Sequence, residues 1–252
     1  VTIVKQEVII TGKNSVFETI VAGKRRIYSL YILQDEKPYY RELLSLIKKK
    51  SPRTKIIRVD ADEMVGLVGE TVAHQGVAIL VEAPKAVEID DMLDQVQKEG
   101  RDPFLLVAAG ITDPHNLGAI LRSSAAVGVD AVIIPKQRSA SLNPTVSKVA
   151  AGAVEHVPVI EVTNINNTLN ALKDRGLWIY GAQSSGKEIY DVDLRGPMVL
   201  VIGSEGKGLP RLTAETCDVL ISIPMSGKVE SLNASVAAGV ILYEIYRQRR
   251  GN

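Results

Sequence analysis

The 252-residue chain is poor in the residues that build cross-links and metal sites. A single cysteine, Cys217, excludes an internal disulfide framework and agrees with a reducing compartment, so a cytoplasmic location is expected. His74, His115 and His156 are scattered, and with one cysteine they give no metal-ligand spacing; no metal is expected. No uninterrupted apolar run is long enough to span a bilayer, and the start lacks the charged-then-apolar pattern of a secretion signal. A membrane partner is therefore not expected. Because the chain begins at Val1 rather than Met, a few native residues are expected to precede it.

What is present is ordinary for a soluble globular protein: 46% apolar and 23% charged residues, in a length that suits one large domain or two of usual size. The net charge of +1 hides an asymmetry. Residues 1–83 carry 13 Lys+Arg against 10 Asp+Glu, and residues 84–252 carry 17 against 19. Much of the N-terminal excess is local, in "GKRR" (23–26) and "KKKSPRTK" (48–55). Such clusters suit a polyanion such as RNA and nominate Lys24, Arg25, Arg26, Lys48, Lys49 and Lys50. On charge alone, a solvated helix end and loop explains them equally well.

Periodicity divides the chain in two. Residues 16–23 and 39–50 have helical spacing, 61–69 suit a short helix, and 27–33, 55–60 and 76–83 are strand-like, which makes a small α/β unit. A linker with a proline and charges follows at 84–91, then a helix over about 91–99. Apolar runs then recur at 104–111, 131–135, 157–162, 177–183, 198–204 and 219–224. Helical patterns lie between most of them, at 117–127, 143–153 and 165–175, and a long one closes the chain at about 231–249. Continuous apolar strands alternating with helices imply a mainly parallel sheet covered on both faces.

Ligands of open parallel sheets sit outside the C-terminal ends of the strands. Three unusual segments fall there: "DPHNLGAILRSSAA" (113–126), "GSEGKGL" (203–209) and "PMSGKVESLNAS" (224–235). The middle one fails as a phosphate loop, because Leu209 follows Gly208 where lysine belongs. It fails as a dinucleotide fingerprint, because Arg211 stands where the third glycine would be. No segment supplies the G-x-S-x-G of an acyl-transfer nucleophile. What remains is a loop whose backbone a ligand with adenine and ribose can approach, with one carboxylate, Glu205, that can orient a hydroxyl or offset a positive charge. Asn116 is expected to cap a helix beginning near Gly118, with Arg122 in its second turn; Ser231 or Asn233 can cap the last helix.

Three motifs, "NLGAILR" (116–122), "VIGSEGKGL" (201–209) and "IPMSGKVESLNASVAAG" (223–239), resemble those of the SpoU/TrmH family of RNA 2′-O-ribose methyltransferases, in the SPOUT class. More loosely, "GKNSVFETI" (12–20) and "HQGVAILVE" (74–82) resemble the ribosomal-protein-like substrate-binding domain of the subgroup acting on large-subunit rRNA. The resemblance implies an RNA-binding domain over 1–83, a linker over 84–101, and a methyltransferase domain over 102–252. That last domain would be threaded as a deep trefoil knot, an exception to the usual unknotted topology. It further implies S-adenosylmethionine as cofactor, held by Gly203, Ile223, Leu232, Met225 and Gly181, and a homodimer whose two subunits complete the site. Asn116, Arg122, Glu205, Ser231 and Asn233 would line the target ribose, where a 2′-oxygen attacks the sulfonium methyl carbon.

The family's usual base is the arginine matching Arg122, although a guanidinium is normally protonated throughout the accessible pH range. Arg122 either has a severely lowered pKa or clamps the substrate phosphate while another group takes the proton. The expected substrate is a guanosine of large-subunit rRNA. A tRNA target, an rRNA site conferring antibiotic resistance, and a non-catalytic RNA-binding assembly factor are the alternatives.

Overall fold

The computed structural model describes residues 7–70, 72–83, 87–137, 139–142, 144–206, 208–227, 229 and 231–250. The chain forms two compact units: the N-terminal region together with Leu142–His156, and the remainder.

The first unit contains β1 (Glu7–Thr11), α1 (Lys13–Ala22), β2 (Ile27–Leu33), α2 (Tyr40–Lys50), β3 (Lys55–Val59), α3 (Ala61–Val68) and β4 (Val77–Glu82). Its sheet has the order β1-β4-β2-β3, with β2 and β3 parallel and β4 antiparallel to both β1 and β2. The strand β1 was not foreseen: it is a five-residue edge strand with no fully buried residue, so it lacks a strong apolar signal. Val16 and Ile20 of α1 and Leu43 and Ile47 of α2 pack against Leu30, Ile32, Val77, Ile79 and Val81. Met64 of α3 packs with Val59 and Ala78 in a separate cluster. A reciprocal pair of bonds between Asp60 and Glu63 fixes the start of α3.

The rest of the chain supplies α4 (Ile89–Lys98), β5 (Phe104–Ala109), α5 (Pro114–Val127), β6 (Ala131–Pro135), α6 (Pro144–Ala150), β7 (Val159–Val162), α7 (Ile165–Asp174), β8 (Trp178–Glu188), β9 (Met198–Gly203), α8 (Arg211–Thr216), β10 (Val219–Ser222) and α9 (Ala234–Arg250). Of these, α6 lies in the segment that packs with the first unit. The helix expected over 143–153 stops at Ala150; Ala151 and Gly152 both take positive φ, and a 3-10 turn follows over Ala153–Glu155. A β-carbon on Gly152 would stand 2.4 Å from Cβ of Glu18, so this chain reversal lies flat on α1. Beside it, Glu155 is buried and pairs with Arg25 at 3.0 Å. Burial pushes the Glu155 carboxyl up, and the Arg25 charge opposes this. Arg25, nominated above for RNA, is therefore already occupied by a carboxylate.

The six strands of the second unit form one parallel sheet in the order β10-β8-β9-β5-β6-β7. Every residue of β5 and of β9 is buried, which is why their sequences read as unbroken apolar runs. The six-residue α8 was not foreseen; it buries only Thr213, too little for a periodic signal. Strand β8 runs to Glu188 rather than ending near 183, because Ile221 and Ser222 of β10 pair with Lys187 and Glu188 after a register jump. There a β-carbon on Gly186 would lie 2.5 Å from the Leu220–Ile221 peptide. The last helix is fastened at its end. Gln248 accepts from the Leu194 amide and donates to the Val192 carbonyl, and Arg249 donates to the carbonyls of Asp102 and Gly196.

From β5 the chain lays β6 and β7 on one side, then crosses to place β8, β9 and β10 on the other, with β9 against β5. The order reverses between β5 and β9, where open α/β sheets hold their ligands. The last pair of that contact is Ala109 with Gly203. A β-carbon on Gly203 would fall 2.2 Å from the Gly208 carbonyl carbon and 2.5 Å from the Leu209 nitrogen. Backbone cannot yield as a flexible side chain can. Gly203→Ala is expected to destabilise the protein by about 3 kcal/mol, the upper range for overpacking. A lowered urea midpoint with an unchanged slope would register this, and an unchanged midpoint would show that the approach is not obligatory.

Candidate active site

The loops leaving β5 and β9 emerge side by side. After β9, Ser204 and Gly208 exchange backbone hydrogen bonds of 3.0 and 2.9 Å, closing a tight turn with Glu205 at its tip. Gly206 and Gly208 both take positive φ there. Lys207 lies outside the described residues. The turn leaves Glu205 exposed at the C-terminal edge of the sheet.

After β5, helix α5 begins earlier than expected. Asp113 is its N-cap, accepting from the His115 amide at 2.9 Å, and Pro114 occupies the first helical position. Asn116 is thus inside the first turn and is not the cap, which frees its side chain for another partner. It is buried and donates through Nδ2 to Glu205 Oε2 at 3.2 Å.

Asn233 caps α9: its Oδ1 accepts from the backbone of Ser235 at 2.9 Å and of Val236 at 3.3 Å, and from the Ser235 hydroxyl at 2.7 Å. These donors fix which way its amide points. Its Nδ2 then donates to Glu205 Oε1 at 2.8 Å. Capping and site-building are one arrangement here, not rival readings.

Asn116, Glu205 and Asn233, 117 positions apart from first to last, thus meet at one point, with both carboxylate oxygens used as acceptors. Arg122 and Ser231 do not join them. Both are exposed, and neither side chain has a hydrogen bond or ion pair to a described residue. Six residues of helix turn through about 600°, some 120° short of two full turns, so Arg122 leaves α5 on a different face from Asn116.

Of the residues expected around a cofactor, Gly203 is buried beneath the Gly208–Leu209 backbone. Ile223 and Leu232 are half-exposed and Met225 is exposed, so apolar side chains remain open to solvent in the segment leading to α9. Gly181 has a packing reason of its own: a β-carbon would meet Cys217 Sγ at 2.6 Å and Leu209 Cδ1 at 2.7 Å. Burial pushes the Cys217 thiol up to about 11, so it is held protonated. No cluster of metal-ligating side chains occurs among the described residues. Of the basic residues, Lys24, Arg26, Lys48, Lys49 and Lys50 are exposed. Gly186, where β8 crosses β10, was missed in the sequence, where only a glycine within a polar stretch hints at a close backbone passage.

Residues 103–243 match the SpoU rRNA Methylase family, and residues 9–87 match the family described as RNA 2′-O ribose methyltransferase substrate binding. The chain is 43% identical over 247 residues to the 23S rRNA (guanosine-2′-O-)-methyltransferase RlmB of Shewanella oneidensis, covering 98% of this chain and 99% of that protein. It is 51% identical over 197 residues to RlmB of Ralstonia nicotianae, covering 77% and 78%. The solved SpoU methyltransferase AviRb of Streptomyces viridochromogenes, in complex with AdoMet, aligns with a TM-score of 0.78 at 26% identity, over 98% of this chain and 92% of that one. The chain is thus a member of the SpoU rRNA methylase family, an RNA 2′-O-ribose methyltransferase that uses S-adenosylmethionine.

Proposed function

We propose that this protein methylates the ribose 2′-hydroxyl of a guanosine in large-subunit rRNA. The observation that carries the reading is Glu205 held by Asn116 and Asn233 at the reversal of strand order, in a chain whose relatives are named for that reaction. Residues 1–83 serve as the RNA-binding domain, 84–101 as the linker and 102–252 as the methyltransferase domain, working in the cytoplasm.

The residues present fit S-adenosylmethionine. In the turn after β9, Gly206 and Gly208 leave their main chain open to a ligand, Ile223, Met225 and Leu232 offer apolar surface, and Glu205 offers a carboxylate. When bound, that cofactor supplies a methyl group made transferable by its sulfonium. The protein's own task is then positioning, the effect with the largest entropic reward in such a transfer. Glu205, Asn116 and Asn233 orient the ribose hydroxyl, and Ser231 contacts it from the segment before α9. Arg122 clamps the neighbouring phosphate through its guanidinium, and the hydroxyl proton leaves to water as the 2′-oxygen takes up the methyl group.

Arg122 leaves its helix about 120° from Asn116, and this supports a homodimer in which one copy's Arg122 serves the other's site. Val236 and Tyr243 of α9 are 51% and 55% exposed, as apolar residues at a subunit contact would be in an isolated chain. Membership of the SpoU rRNA methylase family supports a trefoil knot in the C-terminal region.

S-adenosylhomocysteine should raise the melting temperature, while ATP and NAD at equal concentration should not. With labelled S-adenosylmethionine, unmodified rRNA should accept label at one guanosine 2′-oxygen and tRNA should not. Label confined to tRNA would overturn the substrate assignment while leaving the reaction intact. Arg122→Ala should lower methyl transfer by at least about a hundredfold, the scale of lost transition-state stabilisation, and leave S-adenosylhomocysteine affinity nearly unchanged. Near-normal turnover would remove Arg122 from the site. Glu205→Gln should reduce kcat more than it raises KM for RNA, because the amide cannot accept from both asparagines in the same way. A KM effect alone would make Glu205 a binding residue.

A further inference from the structure

The two basic clusters lie more than twenty positions apart in the chain, yet the fold brings them to one end of the N-terminal sheet. The parallel pairing of β2 with β3 sets Ser29 opposite Lys55, so Arg26, three residues before Ser29, stands beside the approach to β3. Lys48, Lys49 and Lys50 close α2, and only four residues separate them from β3. That connection is tight. The Ser51 amide bonds to the Ile47 carbonyl at 2.8 Å, the Thr54 amide to the Ser51 carbonyl at 3.0 Å, and Thr54 is buried. Arg26 is fixed as well. Its carbonyl accepts from the Glu82 amide, and its guanidinium lies 5.3 Å from the centre of the Tyr28 ring.

All six cations, Arg26, Lys48, Lys49, Lys50, Arg53 and Lys55, are exposed. Among the described residues no carboxylate stands within ion-pair distance of any of them. Between Glu42 and Asp60 the sequence contains no acid at all. Two carboxylates stand at the same end of the sheet: Glu7 and Glu82 are paired opposite each other on β1 and β4. A helix C-terminus favours lysines, and an edge strand such as β3 is guarded by them, but neither effect requires separate segments to converge without a counter-charge.

We propose that this end of the sheet, and not the "GKRR" run as such, is where the first unit grips the phosphate backbone of the substrate RNA. Arg25 is excluded from that grip by its bond to buried Glu155. The proposal rests on RNA being the substrate, as argued above, and adds which surface holds it and which neighbouring cation does not.

The test uses the full chain and an unmodified large-subunit rRNA transcript, with binding measured over a range of salt. Each lost phosphate contact removes about 0.7 from the slope of log K against log[salt] for single-stranded nucleic acid. Lys48→Gln/Lys49→Gln/Lys50→Gln should therefore flatten the slope by about two units. The same variant should raise KM for RNA at least tenfold and keep kcat and S-adenosylhomocysteine affinity within twofold. Arg53→Gln/Lys55→Gln should flatten the slope by a further unit or more. Arg25→Gln should lower the melting temperature, by stranding Glu155, and leave the slope as it was. An unchanged slope in the two patch variants, or a loss for Arg25→Gln as large as theirs, would overturn the proposal. Because binding is read without turnover, these outcomes stay separate from failure of the methyl-transfer assignment, which would appear as absent labelling by the unaltered protein.

Discussion

The turn that carries Glu205 depends on a missing side chain. Gly203 ends the strand beside β5, and the Gly208–Leu209 backbone lies where its β-carbon would be. Only that approach allows Ser204 and Gly208 to close the turn and hold Glu205 at its tip. With the tip fixed, the starts of two helices supply the amides that hold the carboxylate, Asn116 from α5 and Asn233 from α9. The constraint is backbone against backbone, so no repacking of side chains relieves it.

Each asparagine is held in its role by its own helix. Asp113 and Pro114 start α5 early enough that Asn116 is released from capping and can donate to Glu205. At α9 the cap and the donor are the same residue, because an amide side chain has an acceptor end for the helix and a donor end for the carboxylate. An aspartate could cap α9 equally well, but an ionised carboxylate accepts only and has no second, donating end. The same economy of contact fixes the C-terminus of α9, where Gln248 and Arg249 bond to main-chain carbonyls and leave little freedom in the helix that carries Asn233 at its start.

Charge in the first unit follows the same logic of position over composition. Three consecutive cations, Lys24, Arg25 and Arg26, end in different circumstances. Arg25 meets a buried carboxylate, Arg26 lies over Tyr28, and Lys24 is exposed near enough to Glu155 to lower its pKa. The segment that delivers Glu155 comes from between β6 and β7, far along the chain. Counting charges along the sequence treats these three alike, and the fold does not.

The sequence by itself determined the alternation of strand and helix, the parallel character of the large sheet, and the three loops that carry polar residues at its C-terminal edge. It could do so because buried strands must be continuously apolar, and turns and caps have their own residue signatures. The edge strand β1 and the short helix α8 escaped because too little of either is buried to leave a pattern. Only the tertiary structure decided that Asn116 binds Glu205 instead of capping, that Gly181 and Gly186 are required by close packing, and that Arg25 is not free. Those outcomes depend on atoms brought together from distant parts of the chain, and local spacing carries no record of such meetings.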